Sequence, residues 1–366
     1  MMRKTYSTFL AALVLAGGIS MAAPVPAGAF DLGGILDTAL NGISAYKDMD
    51  KRLDYYDKTE EGRQEYFAST KKAKGVVDDP EHMEQISSIM GRLTTGVGEV
   101  DPSIYDKLYL YFICPDSSFN AFCSMGHIMC VNEGLFSYLT NDDEIAVVLG
   151  HEMGHGQKNH MSNAIRKKIK TEVAANIVSG SIEPTLLNNI ILNVGVNQLE
   201  TVTIDRGDES EADELSFDYI YHAGYNPGAA AGIWQRLIER AGDNDPTFAV
   251  EVFAPSDHPS NSDRRDTAMK RLTKLSKGHV KIKDGSDTVQ VNGKDFVTPA
   301  PSGDMSGAER KYFVVGNLAA AYDHKENEKP AVAKDGTVYL GDQNIMTPAA
   351  GDPSAEELAK LLNEIK

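Results

Sequence analysis

His151-Glu152-Met153-Gly154-His155 sets two imidazoles around a carboxylate at the spacing of one helical turn. The run before it, Asp142-Asp143-Glu144-Ile145-Ala146-Val147-Val148-Leu149-Gly150, itself reads as helix. Residues four apart on a helix share a face, so both imidazoles reach one metal ion. Glu152, next to the first histidine, then reaches a water held by that metal. The chemistry this pattern points to is zinc-assisted hydrolysis. The ion lowers the pKa of water toward ~7 and polarises a carbonyl, while the carboxylate moves the proton to the leaving amine.

Two histidines leave a catalytic zinc one protein ligand short. His160 follows His155 by five residues and points off the metal face of the same helix. Lys158 and Met161 stand where the H-E-x-x-H-x-x-G-x-x-H pattern requires glycine and histidine, so a metzincin site is disfavoured. His160 reads as a surface or helix-packing residue. A second acidic helix, 206–222, carries Glu209-Ser210-Glu211-Ala212-Asp213. Glu209 and Asp213 share a face, and Glu211 points elsewhere. Glu209 suits a third ligand, and Asp213 suits an acceptor that fixes the tautomer of a ligand histidine. The plain alternative is a solvated acidic face.

Four blocks occur in order over roughly residues 45–275: Asn120-Ala121-Phe122 with Gly134-Leu135, then the histidine motif, then Glu209 to Asp213, then His258-Pro259 with Arg264. In these the chain resembles the HtpX-like and CAAX-prenyl-endopeptidase zinc metalloproteases of the gluzincin type, in their soluble, exported, BepA-like branch. The resemblance implies one zinc ion on His151, His155 and Glu209, with Glu152 as the base. It places His258 and Arg264 beside the metal as donors to the tetrahedral intermediate. His258 alternatively blocks the open position in a latent form, or simply belongs to a helix-entry turn. The strand Asn120-Ala121-Phe122-Cys123-Ser124 is implied to edge the cleft and pair with an extended substrate. Such pairing reads backbone rather than side chains, which suits unfolded or misassembled envelope polypeptides. The expected activity is that of an exported metalloendopeptidase. A zinc-stabilised periplasmic chaperone or assembly factor is the alternative, although it would not need Glu152. A hydrolase of non-peptide substrates ranks last.

The elements that position these groups form a mainly helical α+β zincin-type domain at 30–278, with a small sheet edging the cleft. Helices fill 30–95, one of them opening at Asp78-Asp79-Pro80-Glu81. Strands are expected near 108–113, 120–124 and 128–131. A helix spans about 141–170 and ends in Arg166-Lys167-Lys168; others follow at 206–222, up to Ala241, and at 261–277. Leu186 to Leu192 is too short and polar to span a bilayer and reads as a core helix. The tail, 279–366, reads as a small α+β domain, a candidate platform for an envelope partner. It has hairpin turns at Asp284-Gly285 and Asn292-Gly293 and a capping box at Ser354. No internal repeat stands out.

The formal charge of -17 argues against general nucleic-acid binding. Residues 1–29 read as a signal peptide, with Arg3-Lys4, a short apolar core from Phe9 and Ala27-Gly28-Ala29 as a cleavage site. An uncleaved anchor is the alternative. Export places the chain in the periplasm or outside the cell, where disulfides form. A hairpin turning at Gly126-His127 would let Cys123 and Cys130 pair and leave Cys114 odd; the alternative is three small buried apolar residues.

Overall fold

The computed structural model describes residues 32–179, 204–242 and 260–366. The expected signal peptide, the apolar stretch at 186–192 and His258 lie outside the described residues.

Helix α1 (Leu32–Lys58) packs on α2 (Glu60–Lys74). Thr59 caps α2 by accepting from the Gly62 N–H at 3.1 Å. Helix α3 (Pro80–Val100) opens as expected: Asp79 accepts from the His82 N–H at 3.1 Å, with proline in the first turn. Its stripe of Ile86, Ile89, Met90, Leu93 and Val97 is buried in the main core. A three-stranded sheet follows, β1 (Leu110–Cys114), β2 (Ala121–Ser124) and β3 (Ile128–Asn132), in the order β1-β3-β2. β1 runs parallel to β3, and β2 antiparallel.

The register overturns the expected disulfide. Cys123 lies opposite Met129, and Cys130 opposite Phe122. Side chains alternate across a strand, so Cys123 and Cys130 face opposite sides of the sheet. All three cysteines are free and buried. Cys123 and Met129 enter the main core, whereas Cys130 packs with Cys114 and Phe112 on the other face.

After the short helix α4 (Leu135–Tyr138), the single helix expected at 141–170 is two: α5 (Asp142–Gln157) and α6 (His160–Ser179). The chain breaks at Lys158-Asn159, where Asn159 takes a left-handed φ of 54°, a conformation asparagine tolerates better than most residues. The basic run near 166 is therefore no helix terminus. Arg166 reaches back to Asp50 at 2.9 Å and Asp54 at 2.6 Å on α1. Helix α7 (Arg206–His222) lies against α5 and α3, and α8 (Ala229–Ala241) against α9 (Asn261–Leu275).

The C-terminal segment contains an internal repeat, contrary to expectation. A three-stranded meander, β4 (Val280–Ile282), β5 (Val289–Val291) and β6 (Lys294–Val297), leads to α10 (Gly307–Asp323). A second meander, β7 (Ala331–Lys334), β8 (Thr337–Leu340) and β9 (Gln343–Met346), leads to α11 (Ala355–Ile365). Both copies carry Lys-Asp-Gly, then Thr-Val, then Thr-Pro-Ala, at 283, 288 and 298 and again at 334, 337 and 347. Both break register at the valine of Thr-Val, Val289 and Val338. Thr288 meets Thr298 at 2.7 Å, and Thr337 meets Thr347 at 2.8 Å. Both helices open on a capping box, Ser306 with Glu309 and Ser354 with Glu357. Packing follows the same pseudo-two-fold: α10 lies on its own β4 and on β9, and α11 on its own β7 and on β6. Hairpin lengths differ between the copies, so their sequence offset drifts and hides the repeat.

Candidate metal centre

Asn141 caps α5 by accepting from the Glu144 N–H at 2.9 Å, and every residue from Glu144 to Gln157 is buried. A helix with no solvent face needs close neighbours on all sides. Gly150 and Gly154 supply one such side. A Cβ at Gly150 would stand 3.1 Å from Ser216 Oγ, and one at Gly154 would stand 3.1 Å from the Cα of Ala212. Small residues four apart on α5 thus face small residues four apart on α7. The Ser216 hydroxyl also donates to the Val147 carbonyl at 2.7 Å. This close approach carries the first turn of α7, and Glu209 with it, to the histidines.

Nε2 of His151 and Nε2 of His155 lie 3.0 Å apart. Glu209 reaches them at 3.3 Å each, one carboxylate oxygen to each ring. The three ligand atoms all fall within 4.8 Å of one another, and all three residues are buried. The far side of each ring is also engaged. Nδ1 of His151 faces Asp213 at 3.0 Å, and Nδ1 of His155 faces Nδ1 of His160 at 2.9 Å. With Asp213 accepting the Nδ1 proton of His151, its Nε2 presents a lone pair; His155 is oriented the same way. Two imidazole nitrogens and a carboxylate converging in a buried space favour positive charge between them, so the donor set fits a divalent metal of the zinc type.

The electrostatics point the same way. Burial disfavours charge on His151, yet Asp213 and Glu209 raise it to about 9. Burial likewise works against ionised Glu209, but the two histidines hold it well below the usual carboxylate range. For His155 burial prevails and lowers its pKa. Glu152 is buried too, with its Oε2 accepting from the Cys123 N–H at 2.7 Å. Burial raises its carboxyl to about 7 against the pull of His151, a value suited to a proton acceptor near neutrality.

Asp213 lies where the helical spacing puts it, behind His151. Arg264 is placed on Asp213. Its Nε donates to Asp213 Oδ2 at 2.6 Å, its Nη2 donates to Oδ1, and its guanidinium lies 3.7 Å from the Trp234 ring. This contact ties Arg264 to Asp213, and through it to His151. Of the two readings of His160, surface and helix packing, the structure removes the first. The residue is no surface histidine; it is 4% exposed and held between His155 and Glu211. The turn at Asn159 brings it back beside α5, which a continuous helix would forbid.

The residues expected to meet substrate lie next to the centre. Asn132 N–H donates to the Asn120 carbonyl at 3.0 Å, so Asn120, Phe122 and Ser124 pair inward with β3. Ala121 and Cys123 then turn their backbone groups toward the outer side of β2, where the Cys123 N–H meets Glu152.

A mainly helical α+β fold that closes a His-His-Glu cluster between two helices, with a further buried glutamate beside it, defines a metal-dependent hydrolase. The chain belongs to peptidase family M48, whose pattern matches residues 83–272. It is 22% identical to the beta-barrel assembly-enhancing protease of Yersinia pestis over 183 residues, 48% of this chain and 37% of that protein. It is 26% identical to metalloprotease LoiP of Escherichia coli over 185 residues, 50% of this chain and 70% of that protein. It is 28% identical to mitochondrial metalloendopeptidase OMA1 of Arabidopsis thaliana over 145 residues, 40% of this chain and 28% of that protein. The chain thus spans well under half of two of these relatives. No helix among the described residues is long and apolar enough to cross a membrane.

Proposed function

We propose that this chain is an exported zinc endopeptidase that cuts unfolded or misassembled envelope proteins. The observation that carries the reading is the convergence of His151, His155 and Glu209, with both histidine rings fixed from behind. Zinc held by these residues supplies Lewis acidity toward a carbonyl and toward water. Glu152 takes the proton of the attacking water and delivers it to the leaving amine. Its burial and its bond to the Cys123 N–H set both its basicity and its position. Asp213, clamped by Arg264, keeps His151 in the metal-binding tautomer. The outer backbone groups of Ala121 and Cys123 offer an extended peptide an added strand, a mode that reads little sequence and so suits unfolded chains. His258, outside the described residues, keeps its proposed role as a donor to the tetrahedral intermediate or as a blocking group. Relatives named for β-barrel assembly support an envelope setting.

The test uses residues 30–366, as wild type and as Glu152→Gln, with bound zinc measured and unfolded casein assayed with and without chelator. Wild type should hold one zinc and cleave. Glu152→Gln should hold zinc and lose about 10²- to 10⁴-fold in kcat, the usual worth of a general base. If both hold zinc and neither cleaves, the chaperone reading replaces this one.

A further inference from the structure

We propose that His160 is a positioning residue of the metal site, holding His155 through a three-residue chain that ends on Glu211. The inference rests on the zinc reading and goes beyond its ligands and base. Nε2 of His155 points into the cluster, 3.0 Å from Nε2 of His151 and 3.3 Å from Glu209. A ring that offers Nε2 as a lone pair carries its proton on Nδ1. That proton faces Nδ1 of His160 at 2.9 Å, so His160 accepts there and carries its own proton on Nε2. The Nε2–H then donates to Glu211 Oε2 at 3.2 Å, with Asp208 a further 3.6 Å neighbour. The other oxygen of Glu211 is paired with Lys158 at 2.8 Å.

The two ligand histidines are thereby built alike. His151 donates to a carboxylate, Asp213, that a cation, Arg264, neutralises. His155 donates through one extra imidazole to a carboxylate, Glu211, that Lys158 neutralises. The extra ring is what the α5–α6 turn makes room for. In metal sites the partners behind a ligand histidine fix its tautomer, and losing one typically costs about 10- to 100-fold in metal affinity.

The experiment strips the full-length purified protein of metal and measures zinc affinity by competition with a chromophoric chelator, with visible absorption of the Co²⁺-loaded protein as a second readout. Thermal unfolding of the metal-free forms reports folding separately. His160→Ala should weaken zinc about 10- to 100-fold and alter the Co²⁺ spectrum. His160→Asn, whose side-chain oxygen takes the place of the accepting nitrogen, should recover most of the loss. Glu211→Gln, at a half-exposed position that leaves the core intact, should weaken zinc by a smaller factor. If His160→Ala does not fold, Glu211→Gln decides the matter. Wild-type affinity in His160→Ala, or an equal loss in the alanine and asparagine variants, overturns the proposal and reduces His160 to packing. A wild-type chain that binds no zinc would instead overturn the metal reading beneath it.

Discussion

At the scale of single residues, the site separates groups that touch the metal position from groups that hold them. Arg264 tests the distinction. It binds Asp213 with two donors, a fork geometry that lysine cannot copy. If Arg264 acts through Asp213, Arg264→Lys should weaken zinc binding about tenfold and lower activity with it. If it instead contacted the transition state directly, kcat would fall while zinc affinity stayed at the wild-type value. Chelator competition beside steady-state kinetics tells the two apart. The cluster of His151, His155 and Glu209 was legible as a candidate, because His151 and His155, and Glu209 and Asp213, each sit four apart on a helix, and the family resemblance joined the two pairs. The role of His160 was not readable. Its position depends on one left-handed residue, Asn159, and on a break that no periodicity marks.

At the scale of elements, the site exists because two helices approach more closely than ordinary side chains permit. Gly154 packs on Ala212, and Gly150 on Ser216. Gly154→Val would force Ala212 away and move the turn that carries Glu209. Overpacking of this kind destabilises by about 1–3 kcal/mol. Zinc affinity should fall as well, since one ligand rides on the displaced helix. Thermal unfolding with zinc titration checks both, and unchanged affinity would show that α7 is not positioned by this contact. Helix and strand types were largely legible in the sequence: α7 spans Arg206–His222 as read, and the three strands fall where β-formers cluster. The Cys123–Cys130 pairing failed because a hairpin fixes register as well as proximity. One residue of register separates cysteines that face one another from cysteines that face opposite sides.

At the scale of the whole molecule, the repeat at the C-terminus shares one core with the protease region. The core cluster runs from Ile86 to Ile365, and α10 lies on both α8 and α9. The contact is backbone-close: a Cβ at Gly228 would meet the Tyr312 carbonyl, and one at Gly316 would meet the Gly228 N–H. Removing residues 279–366 should therefore cost cooperative folding, seen as loss of a sharp thermal transition in 30–278. A near-wild-type midpoint would mean the repeat is an independent module. Charges cross the same boundary. Arg236, 1% exposed on α8, meets Glu144 of the motif helix at 3.1 Å, Glu309 at 2.9 Å and Asp304 at 2.8 Å. The repeat leaves short matching runs in the sequence, masked by unequal hairpin lengths, whereas this cluster leaves no trace there, because residues 144, 236 and 309 carry no shared motif and meet only in the folded chain.

That buried cluster fixes the sign of a pH dependence. Burial, with Glu309 nearby, raises Glu144 from 4.5 to about 7, a net shift that already includes its attraction to Arg236. Between those values the folded chain keeps a proton that the unfolded chain has released. Stability from this group therefore falls as pH rises through that window, and the loss is complete above about 7. Glu144→Gln cannot release the proton and escapes the loss. Its thermal midpoint relative to wild type should climb across the window and level off above it, measured on metal-free protein in buffers of equal ionic strength. Parallel curves for the two proteins would show that Glu144 ionises as an ordinary carboxylate. A variant that falls further behind wild type as pH rises would show that its attraction to Arg236 outweighs its burial.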